Sequence, residues 1–259
     1  MVIYTGQMIA IKFAFGFKMN NMISLFTYTH TNCIDLWEPY LDSLDLYLSD
    51  ISSTVAANKS YEDYGRHRFV SYDDNGMYCQ EMIKCINENI DTDYFIYMQE
   101  DFFLYDKVDV SLLNDYVSVL ENTDFSFVRL LKCGHVTDIK YTDTLYLVSE
   151  SGSTHQTMTA FSMQPTIWKK KDFVRLYERA NCAKFKENWE YTLAMNSLNM
   201  NGLYHYNGER QIGGHYDSSV FPYIATAVVR GKWNTGEYGD LLEPIFAKYE
   251  IDKSQRGEL

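Results

Sequence analysis

Two adjacent carboxylates, Glu100 and Asp101, follow Gln99 in an otherwise greasy stretch, with Tyr94 to Met98 before them and Phe102 to Leu104 after. An ionised carboxylate is costly to bury unless it is paired, hydrogen-bonded or bound to metal. Two readings are open. The acids either end a strand and face a cleft, or they form a solvated turn. In the first case they suit a hard divalent cation, which takes carboxylate oxygens and fills its other positions with water and phosphate. Glycoside hydrolysis fits less well. It needs two acids on opposite sides of the scissile bond, about 5 to 9.5 Å apart, and adjacent residues point in different directions.

The surrounding elements favour the strand-end reading. Tyr94 to Met98 is continuously apolar, as in a central parallel strand. Met22 to Thr29 reads as a strand that ends in His30, Thr31 and Asn32. Ile34 to Leu48 carries apolar residues at helical spacing. Arg68 to Tyr72 reads as a strand closed by the turn Asp73-Asp74-Asn75-Gly76. Helices are predicted over Met77 to Ile90 and Val110 to Leu120, and strands over Phe125 to Leu131 and Thr144 to Val148. Phe161 to Trp168 contains Pro165 and reads as an edge or irregular strand. Helices follow over Lys170 to Ala180 and Glu187 to Leu198, then a short strand, Gly202 to Tyr206. A Gly-rich loop runs from Gly208 to Ser219. Pro222 to Val229 is a last strand or helix, and Glu237 to Ile251 is helical. This alternation predicts an α/β fold, a mixed and mostly parallel sheet flanked by helices with a Rossmann-like N-terminal half. Ligands of such sheets bind at the carboxyl ends of the strands, and three of those ends are polar here.

The chain has 259 residues, 46% apolar, which suffices for a sizeable core. It has 22 Tyr, which suit half-buried packing first, and are also compatible with stacking on a sugar or nucleobase. The formal charge of −12 repels nucleic acid and anionic membranes, so a nucleotide ligand needs a local cation. Five cysteines at 33, 79, 85, 133 and 182 form no Cys-x-x-Cys pair, which fits reduced thiols in a cytoplasmic compartment. Residues 1–21 are apolar but lack a basic start, and Thr5, Gln7, Lys12 and Lys18 interrupt them. They read as an N-terminal extension to a domain over 22–259, neither signal peptide nor membrane span.

The first strand Met22 to Asn32, the segment Tyr94 to Leu104, the segment Phe161 to Phe173, the pair Trp189-Glu190 and the run Pro222 to Asn234 together resemble a GT-A fold glycosyltransferase. Enzymes of this kind serve small capsule, lipopolysaccharide and viral glycan synthesis. The resemblance runs from Met22 to about Ile251. It implies a single GT-A-like domain that moves a hexosyl or pentosyl unit from a nucleotide sugar, UDP-linked by expectation, to a glycan hydroxyl. The implied setting is the cytoplasm of a bacterium or of a virus-infected host. In that family an Asp-x-Asp motif after the fourth strand holds Mn2+ or Mg2+ on the donor diphosphate. Here Asp101 matches its second acid, while Gln99 stands in place of the first, with Glu100 between them.

Further roles follow from the resemblance and the chemistry together. Thr29 and His30 would meet uridine and ribose, and Asp73 or Asp74 the base or ribose. His215 would be a late metal ligand beside Asp101. Lys232, or Arg230, would pair with the diphosphate. Glu190 would be the general base of an inverting transfer, with Trp189 as an apolar wall; Glu187 and Asp172 compete for that role. Trp168 and Tyr216 would stack on the acceptor sugar. The alternatives are a non-catalytic carbohydrate-binding protein and a glycoside hydrolase.

Overall fold

The computed structural model describes residues 22–133, 138–148, 160–184 and 188–259; the side chains of Asn188 and Trp189 are outside that description. Residues 1–21 and Glu187, which figure in the expectations above, also lie outside it.

The first strands are β1 (Ile23–Tyr28), β2 (Ser53–Ala57), β3 (His67–Ser71) and β4 (Tyr94–Met98). They lie side by side in the order β3-β2-β1-β4, all parallel. Parallel neighbours need crossovers. Helix α1 (Trp37–Tyr47) links β1 to β2, and α2 (Tyr78–Asn89) links β3 to β4. A 3-10 turn, Thr31–Leu36, precedes α1.

After β4 come α3 (Val110–Glu121), β5 (Phe127–Arg129), the hairpin β6 (Ile139–Lys140) with β7 (Leu145–Leu147), and β8 (Thr166–Lys169). Helices α4 (Lys170–Ala180) and α5 (Asn188–Ser197) lead to β9 (Gly202–His205). The sheet continues β4-β8-β5-β9-β7-β6, with β8 antiparallel to both β4 and β5. Two small hairpins lie outside it, β10 (Gln211–Ile212) with β11 (His215–Tyr216) and β12 (Val228–Val229) with β13 (Lys232–Trp233). Helix α6 (Thr235–Lys248) follows.

Both faces of the sheet are covered. Along β4, Ile96 and Met98 join a core cluster with Leu41 and Leu44 of α1 and Leu113 of α3. Phe95 and Tyr97 point into a second cluster with Met82 and Ile86 of α2 and Phe173 and Tyr177 of α4. That two-sided burial is why the strand reads as an uninterrupted apolar run.

Three elements differ from expectation. The sequence Ser53-Thr-Val-Ala-Ala57 gives β2 no strong strand signal, yet all five residues are buried between β1 and β3. Small side chains suit that crowded position, and packing overrides weak propensity. Strand β8 is interior, not an edge: Pro165 stands just before it, so its missing N–H costs no ladder bond, and its carbonyl accepts from Leu130 N (2.9 Å). Pro222 to Ala227 is neither a strand of the sheet nor a helix. Its backbone pairs instead with the chain after β4, Tyr105 N to Pro222 O (3.2 Å) and Ile224 N to Phe103 O (2.9 Å).

Candidate functional site

That pairing explains the two carboxylates. Phe102, Phe103 and Leu104 are buried beneath the 222–224 segment, and Met98 is buried in the sheet. Gln99, Glu100 and Asp101 occupy the one place where the chain surfaces between two core runs, and all three are partly accessible. The order β3-β2-β1-β4 makes the crevice between the ends of β1 and β4 the topological switch point, where ligands of open α/β sheets bind.

Each acid is held by donors. Glu100 accepts from the Cys33 thiol, its own backbone N–H and the Thr29 hydroxyl, yet burial still holds its carboxyl above the usual range. Asp101 accepts from its own N–H and from the N–H of Val228. Burial and the neighbouring Glu100 charge push it up to about 8. Like charges crowded in a poorly solvated place favour the protonated form, so the pair marks a site short of positive charge.

Thr29 is buried, and its hydroxyl accepts from Trp37 Nε1 (2.9 Å). It stands between Trp37 and Glu100, and its hydroxyl favours the ionised carboxylate. His30 caps the following turn, with Nδ1 accepting from Asn32 N (3.0 Å). The neutral ring then carries its proton on Nε2 and donates it to Asp74 Oδ2 (3.2 Å), bridging the ends of β1 and β3. Asp73 is turned on its own loop, where Oδ1 accepts from Asn75 N (2.9 Å). Beside them a cleft of about 280 Å³ is lined by Tyr28, Tyr72, Asp73, Asp74 and Tyr78. The rings of Tyr28 and Tyr72 stack at 4.4 Å.

The hairpin that supplies Val228 carries Lys232 and Arg230, both exposed. Its turn places Arg230 at φ 51° and Gly231 at φ 80°, the backbone of a tight two-residue hairpin. Asp101 thus anchors one strand of the element that presents these cations.

Glu190 lies in the first turn of α5 and is half-buried. Strand β9, which α5 feeds, runs parallel to β5. The helix therefore descends the sheet, and its first turn stands at the carboxyl edge, the edge of Asp101. Tyr191 beside it is buried against Phe161 at 4.6 Å.

Four expectations fare differently. Trp168 sits opposite Phe95 and Phe127 in the sheet, buried among Phe127, Phe161 and Phe173, with no ring face left for a sugar. Asp172 follows β8 at the other edge of the sheet, since Lys169 pairs with Tyr94 at the start of β4, and it pairs with Arg175 (3.2 Å). It cannot compete for a role near Asp101. The Tyr216 ring already faces a cation, Lys132 Nζ at 4.8 Å, which Tyr206 covers at 4.4 Å. His215 is held below its ordinary value by burial and the Arg129 charge, with Glu237 opposing. Among the described residues no group of three His, Cys, Asp or Glu side chains is placed to hold a metal.

Among the described residues, a divalent cation would find two carboxylates and no third protein ligand beside them. Glu100 and Asp101 offer carboxylate oxygens, and phosphate and water would complete the set, as Mg2+ sites commonly do. Sequence reading missed Cys33, the Val228 N–H and Arg256. None is near the triplet in sequence, and no local pattern marks them.

Among the described residues no helix is long and apolar enough to cross a membrane. No protein-family model matches the chain, and no curated protein matches it. Solved structures similar to it include S. aureus TarS 1–349, at 10% identity and TM-score 0.46, covering 90% of this chain and 68% of that one. Another is a cytidylyltransferase from Leptospira borgpetersenii serovar Hardjo-bovis, at 13% identity and TM-score 0.47, covering 90% and 98%. A third is a CMP:2-keto-3-deoxy-manno-octonic acid synthetase, at 9% identity and TM-score 0.38, covering 70% and 88%. Likeness at this level identifies neither a family nor a chemistry.

Proposed function

We propose that this chain is a glycosyltransferase that moves a sugar from a nucleotide donor, UDP-linked in our reading, to a hydroxyl of a glycan. The observation that carries the reading is the Glu100–Asp101 pair at the β1/β4 switch point, crowded, partly accessible and short of positive charge. The two acids feel each other's charge directly, which suits one shared cation better than the opposed pair a hydrolase needs.

In this reading the nucleoside lies along the ends of β1 and β3, beside Tyr28, His30 and Asp74. Lys232 meets the diphosphate as a point charge. Mn2+ or Mg2+ bound at Asp101 and Glu100 would offset their charge and draw the donor phosphates to them. Glu190 takes the proton from the acceptor hydroxyl. The acceptor oxygen bonds to the anomeric carbon as the bond from that carbon to the phosphate oxygen breaks, and the nucleoside diphosphate leaves. The configuration inverts.

The test is a panel of nucleotide sugars, scored for turnover and for binding of the free nucleoside diphosphates by calorimetry, with and without manganese. UDP binding and turnover of a UDP-sugar are expected. A protein that binds no nucleoside diphosphate is not this enzyme, and a carbohydrate-binding role would take its place.

A further inference from the structure

We propose that Arg256 is an anion-binding residue of the donor site, placed to contact the phosphate oxygens of the nucleotide. The inference rests on the donor reading above and names a residue of that site.

Residues 252–259 form a strap after α6. Asp252 caps its 3-10 turn, Lys253–Gln255, by accepting from Ser254 N (3.0 Å). Gly257, at φ 71°, then turns the chain back, a conformation that suits glycine. The strap is clipped to β13 by Trp233 N to Gly257 O (3.0 Å) and Leu259 N to Trp233 O (3.0 Å). Thr235 Oγ1 fastens Glu258 at 2.5 Å. This is the hairpin whose partner strand donates Val228 N–H to Asp101. The strap is thus tied to the roof of the candidate site.

Its one arginine points inward. Arg256 Nε and Nη2 grip the two oxygens of Asp35 at 2.6 and 2.5 Å. Asp35 belongs to the 3-10 turn that begins three residues after β1 ends, so the grip fixes the guanidinium at the switch-point crevice. The group lies 5.8 Å from the centre of the Trp233 ring, and its side chain is 13% exposed. The Arg256 charge reaches Cys33, Glu100 and Asp101.

A guanidinium carries five N–H donors in a fixed fork. Asp35 takes Nε and Nη2, and the Cys33 sulfur meets the guanidinium as well; sulfur is a weak acceptor, which a phosphate oxygen would displace. A carboxylate-gripped, ring-backed arginine has little freedom left to lose, and phosphate is a natural partner for what remains. The need is evident in the sequence, because Gln99 stands beside the acids and adds no charge for holding a metal. A fixed cation on the strap supplies positive charge for the phosphates without relying on a metal.

The experiment uses the full chain and UDP as the probe. Calorimetry is run with and without manganese on wild type, Arg256→Gln and Arg256→Lys. The Gln variant should bind UDP about ten-fold or more weaker in both conditions, the scale of one charged hydrogen bond. The Lys variant should recover part of the loss. On wild type, phenylglyoxal labelling of the peptide bearing Arg256, read by mass spectrometry, should slow under saturating UDP. That measurement decides the matter if the Gln variant fails to fold. Undiminished UDP binding by the Gln variant, or labelling that ignores UDP, overturns the role of Arg256 and leaves the donor reading standing. Wild type that binds no UDP removes both.

Discussion

Among the single residues of the site, Asp101 sits in the greatest tension. Burial and Glu100 push its carboxyl up to about 8, so the protonated form is favoured at neutral pH. Groups kept in that condition are drawn disproportionately from functional sites. Asp101→Asn keeps the shape and removes the capacity to ionise. Transfer is expected to fall by two orders of magnitude or more, roughly, with a melting midpoint at or above that of wild type. A variant with full transfer would return the pair to the status of a turn. Glu190 is the complementary test. A positioned base is worth about a hundred- to ten-thousand-fold in rate, so Glu190→Gln should lose transfer by that factor and bind UDP normally. A product of retained anomeric configuration by NMR would remove the need for any base. The triplet at 99–101 could be found from sequence because a charge interrupting an apolar run is a local signal. Trp168 and Asp172 misled for the opposite reason. Whether a Trp faces core or cleft, and which end of a strand an acid follows, depends on β8 running against its neighbours.

For the elements, the Gly-rich loop after β9 shows how the site's surroundings are held. Sequence suggested an irregular loop, and the structure ties it down. Burial alone would raise Glu209, but hydrogen bonds from His205, Ser219 and the Asn207 backbone outweigh it and hold the carboxyl at about 2. His205 Nε2 donates to Glu209 Oε1 (2.8 Å), while Nδ1 faces the Tyr116 hydroxyl (2.7 Å), so the latch spans α3, β9 and the loop. Gly213, at φ 57°, turns the β10–β11 hairpin where a Cβ would meet the Glu237 carboxylate at 2.2 Å. Because the folded Glu209 lies below its unfolded value, its stabilisation is present above about pH 4.5 and fades as pH falls toward about 2. Glu209→Gln should therefore cost about 1–3 kcal/mol at pH 7, with the gap to wild type closing in acid. A gap that stays constant in thermal melts from pH 7 to pH 3 would assign the loss to something other than this charge. Elements with a clear apolar period, such as β1, β4, α2 and α3, were visible from sequence. Strand β2 was not, because Ser53 to Ala57 is strand only by virtue of the neighbours that bury it.

The whole molecule carries a formal charge of −12, and a diphosphate approaching it meets a repulsive field. The fold answers locally. The hairpin holding Lys232 and Arg230 and the strap holding Arg256 converge on the carboxyl edge of the sheet, brought there from positions more than a hundred residues beyond Asp101. No window of sequence could show that convergence, although the acidic balance did require some such arrangement. Lys232 is exposed and therefore sensitive to solvent ions. Lys232→Ala is expected to weaken UDP binding by about 1.5–3 kcal/mol at low salt. Screening should then shrink the difference between variant and wild type, since the Debye length drops from about 10 Å at 0.1 M to about 3 Å at 1 M. Calorimetric titrations across that range check both parts. An affinity equal to wild type at low salt passes the diphosphate role to Arg230. A loss that does not diminish with salt would mean that Lys232 works in a more enclosed setting than its exposure indicates, with the hairpin folded over the bound nucleotide.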